Sequence, residues 1–277
     1  MRLCDNEAAT TGLSMIACAD DYGLNDDIDR AILELSGSGK LSAVSCMVGL
    51  ERCARGALEK LRAFEPKIDL GLHLCLTDEK LPLSAPSGSS PARKDLPSFR
   101  VFLARALARQ LDSRFIASQI SAQYERFLEK CGRRPDFIDG HLHVHQFPGV
   151  REALVEFVRE LPEHSRPFVR NTDLSWRTLR EKRLPWLKSA LLGVFGARMR
   201  SLLEAAGVPT NRGFAGIYDF RKWPRYRTYL PRFVACLPDP NGILVVHPGL
   251  VDNWRRQEFE ALGEFAFPAG TPNRFRR

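Results

Sequence analysis

Four short segments of the sequence carry side chains that could bind a metal ion or transfer a proton. They are A-D-D-Y-G at residues 19–23, G-L-H-L at residues 71–74, D-G-H-L-H-V-H at residues 139–145 and H-P-G at residues 247–249. Each lies at the end of an apolar run of strand length, and α/β proteins concentrate their active sites at the C-terminal ends of strands. This shared position predicts one site built from all four segments.

Each segment taken alone also has a structural explanation. Asp20 and Asp21 are typical of residues that end a strand and cap the following helix. A lone His73 between two leucines is more typical of a hydrogen-bonded core histidine than of a ligand, and His247 before Pro-Gly fits a turn equally well.

The three histidines at alternate positions are harder to explain by packing. We expect a short strand over residues 137–141, and because side chains two apart on a strand face the same side, His141, His143 and His145 would converge. Imidazole and carboxylate groups together suit Zn²⁺ and other divalent first-row ions, while a carboxylate-rich site with waters suits Mg²⁺. The spacing predicts a site for one divalent ion that uses two of these histidines.

Alternating strand and helix patterns would position these segments. Strand-like runs at residues 15–19, 42–48, 68–75, 137–141, 168–170, 216–218 and 243–247 are separated by helical patterns, such as residues 112–131 and 150–160. Such units indicate parallel strands with helical crossovers, and six or seven of them favour an α/β fold with a single-domain distorted (β/α) barrel that is TIM-barrel-like.

Three regions fall outside this alternation. Residues 1–14 have no periodicity and are interpreted as a flexible leader before a barrel domain over residues 15–277. Residues 77–98 carry four prolines and predict a long loop, either a substrate-covering lid or a disordered excursion. A basic helical insertion is expected around residues 174–210.

Bulk composition indicates a soluble protein with a sizeable core. Of 277 residues, 44% are hydrophobic and 27% are charged. Seven cysteines without a C-x-x-C pair fit a reducing cytoplasm, and we find neither a secretory signal nor an apolar run of about 18 residues. The expected location is cytoplasmic, with the inner face of the membrane as an alternative.

In this order and at these separations, A-D-D-Y-G, G-L-H-L, D-G-H-L-H-V-H and H-P-G-L-V-D-N resemble the YdjC family. That family includes chitooligosaccharide deacetylases and hopanoid-biosynthesis-associated deacetylase-like proteins. The resemblance runs from about Met15 to Asn253. It implies a distorted (β/α) barrel and a metal-dependent hydrolase that removes the N-acetyl group of an amino sugar. Tyr22 stands where phenylalanine is commoner and Gly140 where serine is commoner, and neither departure removes a liganding group.

The resemblance also implies roles for individual residues. Asp21, His73 and His141 would bind one divalent cation, Mg²⁺ or Zn²⁺. Asp20 would act as general base, and His247 as the general acid that protonates the departing amine.

Five further residues are candidate substrate contacts. His143 and His145 would line the pocket once His141 is taken as the ligand. Arg170 and Asn171 follow a short strand, and Trp176 lies a few residues beyond them, where a place in the core is an equal alternative.

A basic amphipathic segment spans residues 177–200. Apolar side chains there alternate with seven cationic ones: Arg177, Arg180, Lys182, Arg183, Lys188, Arg198 and Arg200. This pattern predicts either peripheral contact with an anionic membrane, where a lipid-linked sugar would be met, or a helical hairpin with a solvated outer face. No nucleic-acid-binding module accompanies the formal charge of +8, so nucleic acid is not an expected partner, whereas a homodimer stays open.

Two other functions compete with deacetylation. One is another metal-dependent amide hydrolase, although amidohydrolases carry H-x-H on their first strand and this chain carries it about half-way along. The other is a non-catalytic sugar-binding or membrane-surface scaffold that retains the pocket.

Overall fold

The computed structural model describes residues 15–50, 57–65, 67–77, 96–173, 186–220, 225–238, 240–268 and 270–275. The strands in these ranges are β1 (Met15–Tyr22), β2 (Ala43–Cys46), β3 (Asp69–Leu74), β4 (Phe137–Gly140), β5 (Phe168–Val169), β6 (Gly213–Ala215) and β7 (Gly242–Val246). The α-helices are α1 (Asp26–Gly37), α2 (Ala57–Arg62), α3 (Phe99–Leu107), α4 (Ser113–Cys131), α5 (Val150–Glu160), α6 (Trp186–Ala205), α7 (Tyr226–Val234) and α8 (Asn253–Glu264). Short 3₁₀ helices cover His141–Gln146 and Glu163–Ser165.

The strands form one parallel sheet in the order β5-β4-β3-β2-β1-β7-β6. Its two edges approach each other, because Val169 of β5 forms a parallel bridge with Thr210, three residues before β6. The Val169 N–H donates to the carbonyl of Pro209 at 2.9 Å, and the Thr210 hydroxyl donates to the Val169 carbonyl at 2.6 Å. The sheet therefore curls into a distorted barrel, which confirms the predicted fold class.

Alternation along the strands separates two apolar layers. On β1, Ala17 and Ala19 belong to the large cluster shared with the surrounding helices, whereas Ile16 and Cys18 belong to a second cluster inside the barrel. All eight residues of β1 are buried, as expected for a strand covered on both faces. A buried scaffold of this kind holds the strand ends in fixed positions.

The C-terminal segment fills the N-terminal end of the barrel. The Phe275 ring packs against Phe137 at 5.0 Å and Phe168 at 4.8 Å between centroids. The Arg274 guanidinium donates to the buried Asp69 carboxylate at 2.6 Å, at the start of β3. Among the described residues, packing fills this end of the barrel, and the strands finish at the opposite end.

Two sequence predictions of strands are wrong in detail. β4 ends at Gly140, and the histidines that follow lie on a 3₁₀ helix, because Leu142 and His143 adopt left-handed φ values of 52° and 59°. The strand expected at residues 216–218 lies three residues earlier, since Gly216 with φ of 111° turns the chain out of the sheet. Helices α4 and α5 match their predicted ranges within one residue.

Some predictions fall on residues outside the described ranges. These are the leader at residues 1–14, most of the loop at residues 77–98, and the first part of the basic insertion, residues 174–185. Helix α6 occupies the second part of that insertion. No helix within the described ranges combines the length and the apolar character needed to cross a membrane.

Candidate metal centre

The end of β1 brings two consecutive carboxylates to the same cavity. Consecutive side chains on a regular strand point to opposite faces. Here β1 carries one extra residue relative to β2 between Ala19 and Tyr22, and Asp21 has a left-handed φ of 71°. A bulge of this kind re-aims a side chain. Asp20 and Asp21 both line the cavity as a result.

Asp21, His73 and His141 meet above the barrel from three separate strand ends. The Asp21 Oδ1 atom lies 2.9 Å from His141 Nδ1 and 3.4 Å from His73 Nε2. One potential ligand atom from each residue lies within 4.8 Å of the other two. Burial alone would raise the pKa of Asp21, but hydrogen bonds from His141 and His73 outweigh it and hold the pKa well below its ordinary value.

A carboxylate stands directly behind His73. The parallel register of β3 and β4 pairs His73 with Asp139, and His73 Nδ1 donates to Asp139 Oδ1 at 2.6 Å. The Ser45 hydroxyl of β2 donates to the same oxygen at 2.5 Å. Histidine ligands usually donate their other ring N–H to a carboxylate in this way, which fixes the tautomer and the ring orientation.

These neighbours shift two pKa values in opposite directions. Burial would lower the pKa of His73, but the charges of Asp139 and Asp20 overcome it and raise the pKa to about 10. Burial would raise the pKa of Asp139, yet Arg170 and His73 lower it to about 2. The environment of His73 Nε2 therefore strongly favours positive charge.

Arg170 forms a buried ion pair beneath the site. Its Nη1 and Nη2 atoms donate to the two oxygens of Asp20 at 2.8 and 2.7 Å, and Nη2 lies 3.0 Å from Asp139 Oδ2. Cys18, Asp20 and Asp139 are also close enough to form a ligand group, but the guanidinium already supplies their cation. Burial outweighs Arg170 and raises the pKa of Asp20.

His247 directly follows β7, and its side chain lines the same cavity as Asp20 and Asp21. Its Nε2 atom lies 3.9 Å from Asp20 Oδ2. The loop after it is tied to α1, because Asp27 Oδ2 accepts the backbone N–H of Leu250 at 3.0 Å and of Val251 at 3.2 Å.

Helix α8 reaches the same region with two charged side chains one turn apart. Arg255 Nη2 donates to Asp21 Oδ2 at 2.7 Å, which leaves Oδ1 directed toward the two histidines. Glu258 Oε2 accepts the backbone N–H of His247 at 2.6 Å. Burial raises the pKa of Glu258 to about 7.

The cavity above these groups has a volume of about 370 Å³ and a polar base with an apolar wall. The base consists of Asp20, Asp21, His73, His141, His247 and Arg255. The apolar wall consists of Phe99, Leu103, Leu142, Phe147, Leu192, Phe195, Ile217, Phe220 and Trp254. A few convergent polar groups beneath apolar walls are typical of small-molecule sites.

Of the five candidate substrate contacts, one lines the cavity, three are buried away from it, and Trp176 lies outside the described residues. His143 lines the cavity. His145 is fully buried and donates through Nε2 to the Arg170 carbonyl at 2.9 Å; burial and the Arg170 charge lower its pKa to about 3, so the ring is neutral.

Arg170 and Asn171 are also buried, and both lie under the site. Arg170 is 1% exposed and held by its two carboxylates. Asn171 is 0% exposed and exchanges hydrogen bonds with Asn211 near the closure of the barrel. Neither side chain lines the cavity.

The sequence patterns did not single out Ser45, Asp139, Arg255 and Glu258. Asp139 had a detectable signal, because it is a carboxylate at the end of an otherwise apolar strand and begins the D-G-H segment. Arg255 and Glu258 stand three apart on the helix after H-P-G, which places them on one helix face. Ser45 had no signal without the strand register.

The donor set fits a divalent cation. One carboxylate and two imidazoles are ligands that suit Zn²⁺ and related ions, and three protein ligands leave coordination positions for water and substrate. Three buried carboxylates, Asp20, Asp21 and Asp139, meet two guanidinium groups, Arg170 and Arg255, and a positive charge at His73 Nε2, from a proton or from a bound ion, would balance the third carboxylate.

Comparison with known proteins gives a family match over most of the chain. A family model described as YdjC-like protein matches residues 14–269. Chitooligosaccharide deacetylases from Yersinia pestis strain Pestoides F and Yersinia enterocolitica are 32% and 30% identical over 146 residues. Each match covers 53% of this chain and 56% of the relative, so the chain spans about half the length of the curated relatives it matches.

Solved structures share the fold. A protein from Enterococcus faecalis V583, assigned provisionally to cellobiose-phosphate cleavage, is 20% identical, with 91% of each chain covered and a TM-score of 0.64. An uncharacterized protein from Agrobacterium tumefaciens C58 is 11% identical, with coverage of 93% of this chain and 83% of that one, and a TM-score of 0.51. At these identities the likeness concerns the barrel alone.

Proposed function

The chain belongs to the YdjC-like protein family, and on this premise we propose that it is a metal-dependent carbohydrate N-deacetylase that removes the acetyl group of an amino sugar. The observation that carries the proposal is the group of Asp21, His73 and His141, whose potential ligand atoms lie within 4.8 Å of one another at the base of a cavity. The carboxylate of Asp139 behind His73 supports the same assignment.

These three residues would hold the ion, and Mg²⁺ and Zn²⁺ are the candidates. When bound, the ion would supply Lewis-acid activation of water and of the acetamide carbonyl. Asp139 keeps the Nδ1 of His73 occupied, so Nε2 is the nitrogen presented to the cavity. Arg255 restrains the second oxygen of Asp21, which limits that carboxylate to one free ligand atom.

Asp20 and His247 supply the proton transfers. Asp20 accepts a proton from the attacking water, and its ion pair with Arg170 fixes the orientation of the carboxylate. The water oxygen adds to the acetamide carbon, the C–N bond breaks, and His247 donates a proton to the departing amine. The products are acetate and the free amino sugar.

Four variants test the assignment. His73→Ala is expected to lose both bound metal and acetate release, whereas Asp20→Asn keeps the metal and loses turnover, because proton transfer of this type contributes about 10²- to 10⁴-fold. His247→Ala is expected to behave like Asp20→Asn. The matched control is His164→Ala, which removes an exposed histidine remote from the cavity lining. Metal content by mass spectrometry and acetate release are measured on each protein, and full activity in His73→Ala would refute the metal centre.

The substrate proposed is an acetylated amino sugar that is linked to a lipid. The named activity of the relatives, chitooligosaccharide deacetylase, supports the sugar. The apolar wall supports an apolar portion, because a free oligosaccharide would leave much of this surface without an apolar partner. Mass spectrometry of free, oligomeric and lipid-linked N-acetylhexosamines with several added cations tests this, and turnover restricted to the free sugars would contradict the lipid.

The proposal places the enzyme in the cytoplasm, in peripheral contact with anionic membrane through residues 177–200. Support comes from the charge of that segment and from α6, where Leu192 and Phe195 line the cavity while Val194 is 65% exposed. Flotation with liposomes that contain anionic lipid is the test, and absence of binding at low salt would contradict this contact.

A further inference from the structure

We infer that Glu258 is a positioning residue that holds His247 in its place opposite Asp20. The inference rests on the proposed function, in which His247 protonates the departing amine. It concerns a side chain of α8 that touches neither the cavity nor the proposed ligands.

The contact to the main chain comes first. Glu258 is 1% exposed, and its Oε2 accepts the backbone N–H of His247 at 2.6 Å. This N–H lies immediately beyond the last residue of β7, where the parallel ladder no longer supplies a partner from a neighbouring strand. A buried N–H without an acceptor would cost about 1–3 kcal/mol. The Glu258 carboxylate therefore fixes the position of the His247 backbone, from which the imidazole side chain extends.

The second contact reaches the imidazole through two aromatic rings. Glu258 Oε1 accepts the Tyr218 hydroxyl at 2.8 Å. The Tyr218 ring packs edge-on against Phe220 with centroids 4.8 Å apart, and Phe220 packs edge-on against the His247 ring at 5.5 Å. One carboxylate thus restrains both the peptide of His247 and the ring beside its imidazole.

The choice of glutamate follows from the donors that face it. The His247 N–H and the Tyr218 O–H are both donors, and a carboxylate accepts from both without rearrangement. In Glu258→Gln the amide oxygen can still accept from the peptide while the NH₂ group donates to the tyrosine oxygen. In Glu258→Ala both partners lose their acceptor.

The test separates proton donation from the rest of the reaction. An N-acetyl amino sugar needs a protonated leaving group, whereas p-nitrophenyl acetate releases a stable anion without one. Glu258→Ala is expected to lower kcat on the amide about 10- to 100-fold, within the range of general-acid contributions, and to change KM and ester hydrolysis less than about 3-fold. Glu258→Gln is expected to recover most of the amide activity.

Arg274→Ala is the control for lost stability, because it breaks a pair with Asp69 at the opposite end of the barrel. Equal losses on amide and ester in Glu258→Ala, or the same pattern in the control, would overturn the inference. A wild-type protein that hydrolyses neither substrate would refute the proposed function instead.

Crystal structures test the positioning in either case. In Glu258→Ala, His247 is expected to move by about 1 Å or more relative to Asp20 while Asp21, His73 and His141 keep their spacing. An unmoved His247 would overturn the inference whatever the activity.

Discussion

Replacement of Asp139 by asparagine tests whether the buried carboxylate behind His73 controls metal affinity. Asp139 is 0% exposed. Its Oδ1 accepts from His73 Nδ1 at 2.6 Å and from the Ser45 hydroxyl at 2.5 Å, and its Oδ2 lies 3.0 Å from Arg170 Nη2. An asparagine has one oxygen and one NH₂ group. Whichever way the amide turns, its NH₂ group then faces a donor, either His73 Nδ1 or Arg170 Nη2.

The expected magnitude follows from these contacts. Loss of the partner of a metal-binding histidine typically weakens affinity about 10- to 100-fold, which equals about 1.4–2.8 kcal/mol. Breaking the buried pair with Arg170 is expected to cost about 3 kcal/mol of unfolding free energy, or about 6–12 °C in Tm for a chain of this size.

Calorimetric titration of the ion-free protein with Zn²⁺ measures the affinity, and thermal unfolding measures the stability. Asp69→Asn is the matched control, since it removes a buried carboxylate from the same strand as His73 but at the far end, where the partner is Arg274. The control is expected to lose stability and to keep its affinity for Zn²⁺. An Asp139→Asn protein that binds Zn²⁺ as tightly as wild type would refute the role of this carboxylate.

Three further predictions concern the fold. Because the pKa of Glu258 is raised to about 7 from 4.5, its contribution to stability is complete below pH 4.5 and is lost as the pH rises to 7. Glu258→Gln does not titrate, so its free energy of unfolding should rise by about 3 kcal/mol relative to that of wild type between pH 4.5 and pH 7. Denaturant titrations measure this, and a difference between the two proteins that does not change with pH would contradict the prediction. Gly216→Ala should cost at least about 3 kcal/mol, because a Cβ there would lie 2.0 Å from the Val245 carbonyl oxygen. Gly39→Ala, at a positive φ of 71° with open space around the added Cβ, should cost about 1 kcal/mol. Equal losses in the two variants would exclude the contact with Val245 as the cause. Phe275→Ala should cost about 2 kcal/mol in thermal unfolding with unchanged metal content, and unchanged stability would show that the ring does not close the barrel.

Much of the barrel could be predicted because its strands are buried on both faces and its helices have one apolar face. The strand at residues 243–247 and the helix at residues 150–160 have these patterns, and both were found within one residue. The histidine segment was misjudged because two successive left-handed residues, Leu142 and His143, carry no recognizable signal in their side chains. His141 reaches the site because it directly follows the end of β4. The three histidines do not share one face of a strand, since they lie on a 3₁₀ helix.

Sequence patterns could not predict the contacts between residues on different strands. Arg170 was expected to bind sugar, yet the curl of the sheet places its guanidinium against Asp20 and Asp139. The pairing of His73 with Asp139 depends on the register of β3 and β4, which a single sequence does not specify. A carboxylate or guanidinium near a site can thus hold the candidate metal ligands in position instead of contacting the substrate.

The most direct measurement of the central claim is the anomalous scattering of a crystal of this protein soaked with Zn²⁺. One strong peak is expected at about 2.0–2.2 Å from an Asp21 oxygen and from one ring nitrogen each of His73 and His141. A peak at another position, or none between these three side chains at saturating Zn²⁺, would contradict it.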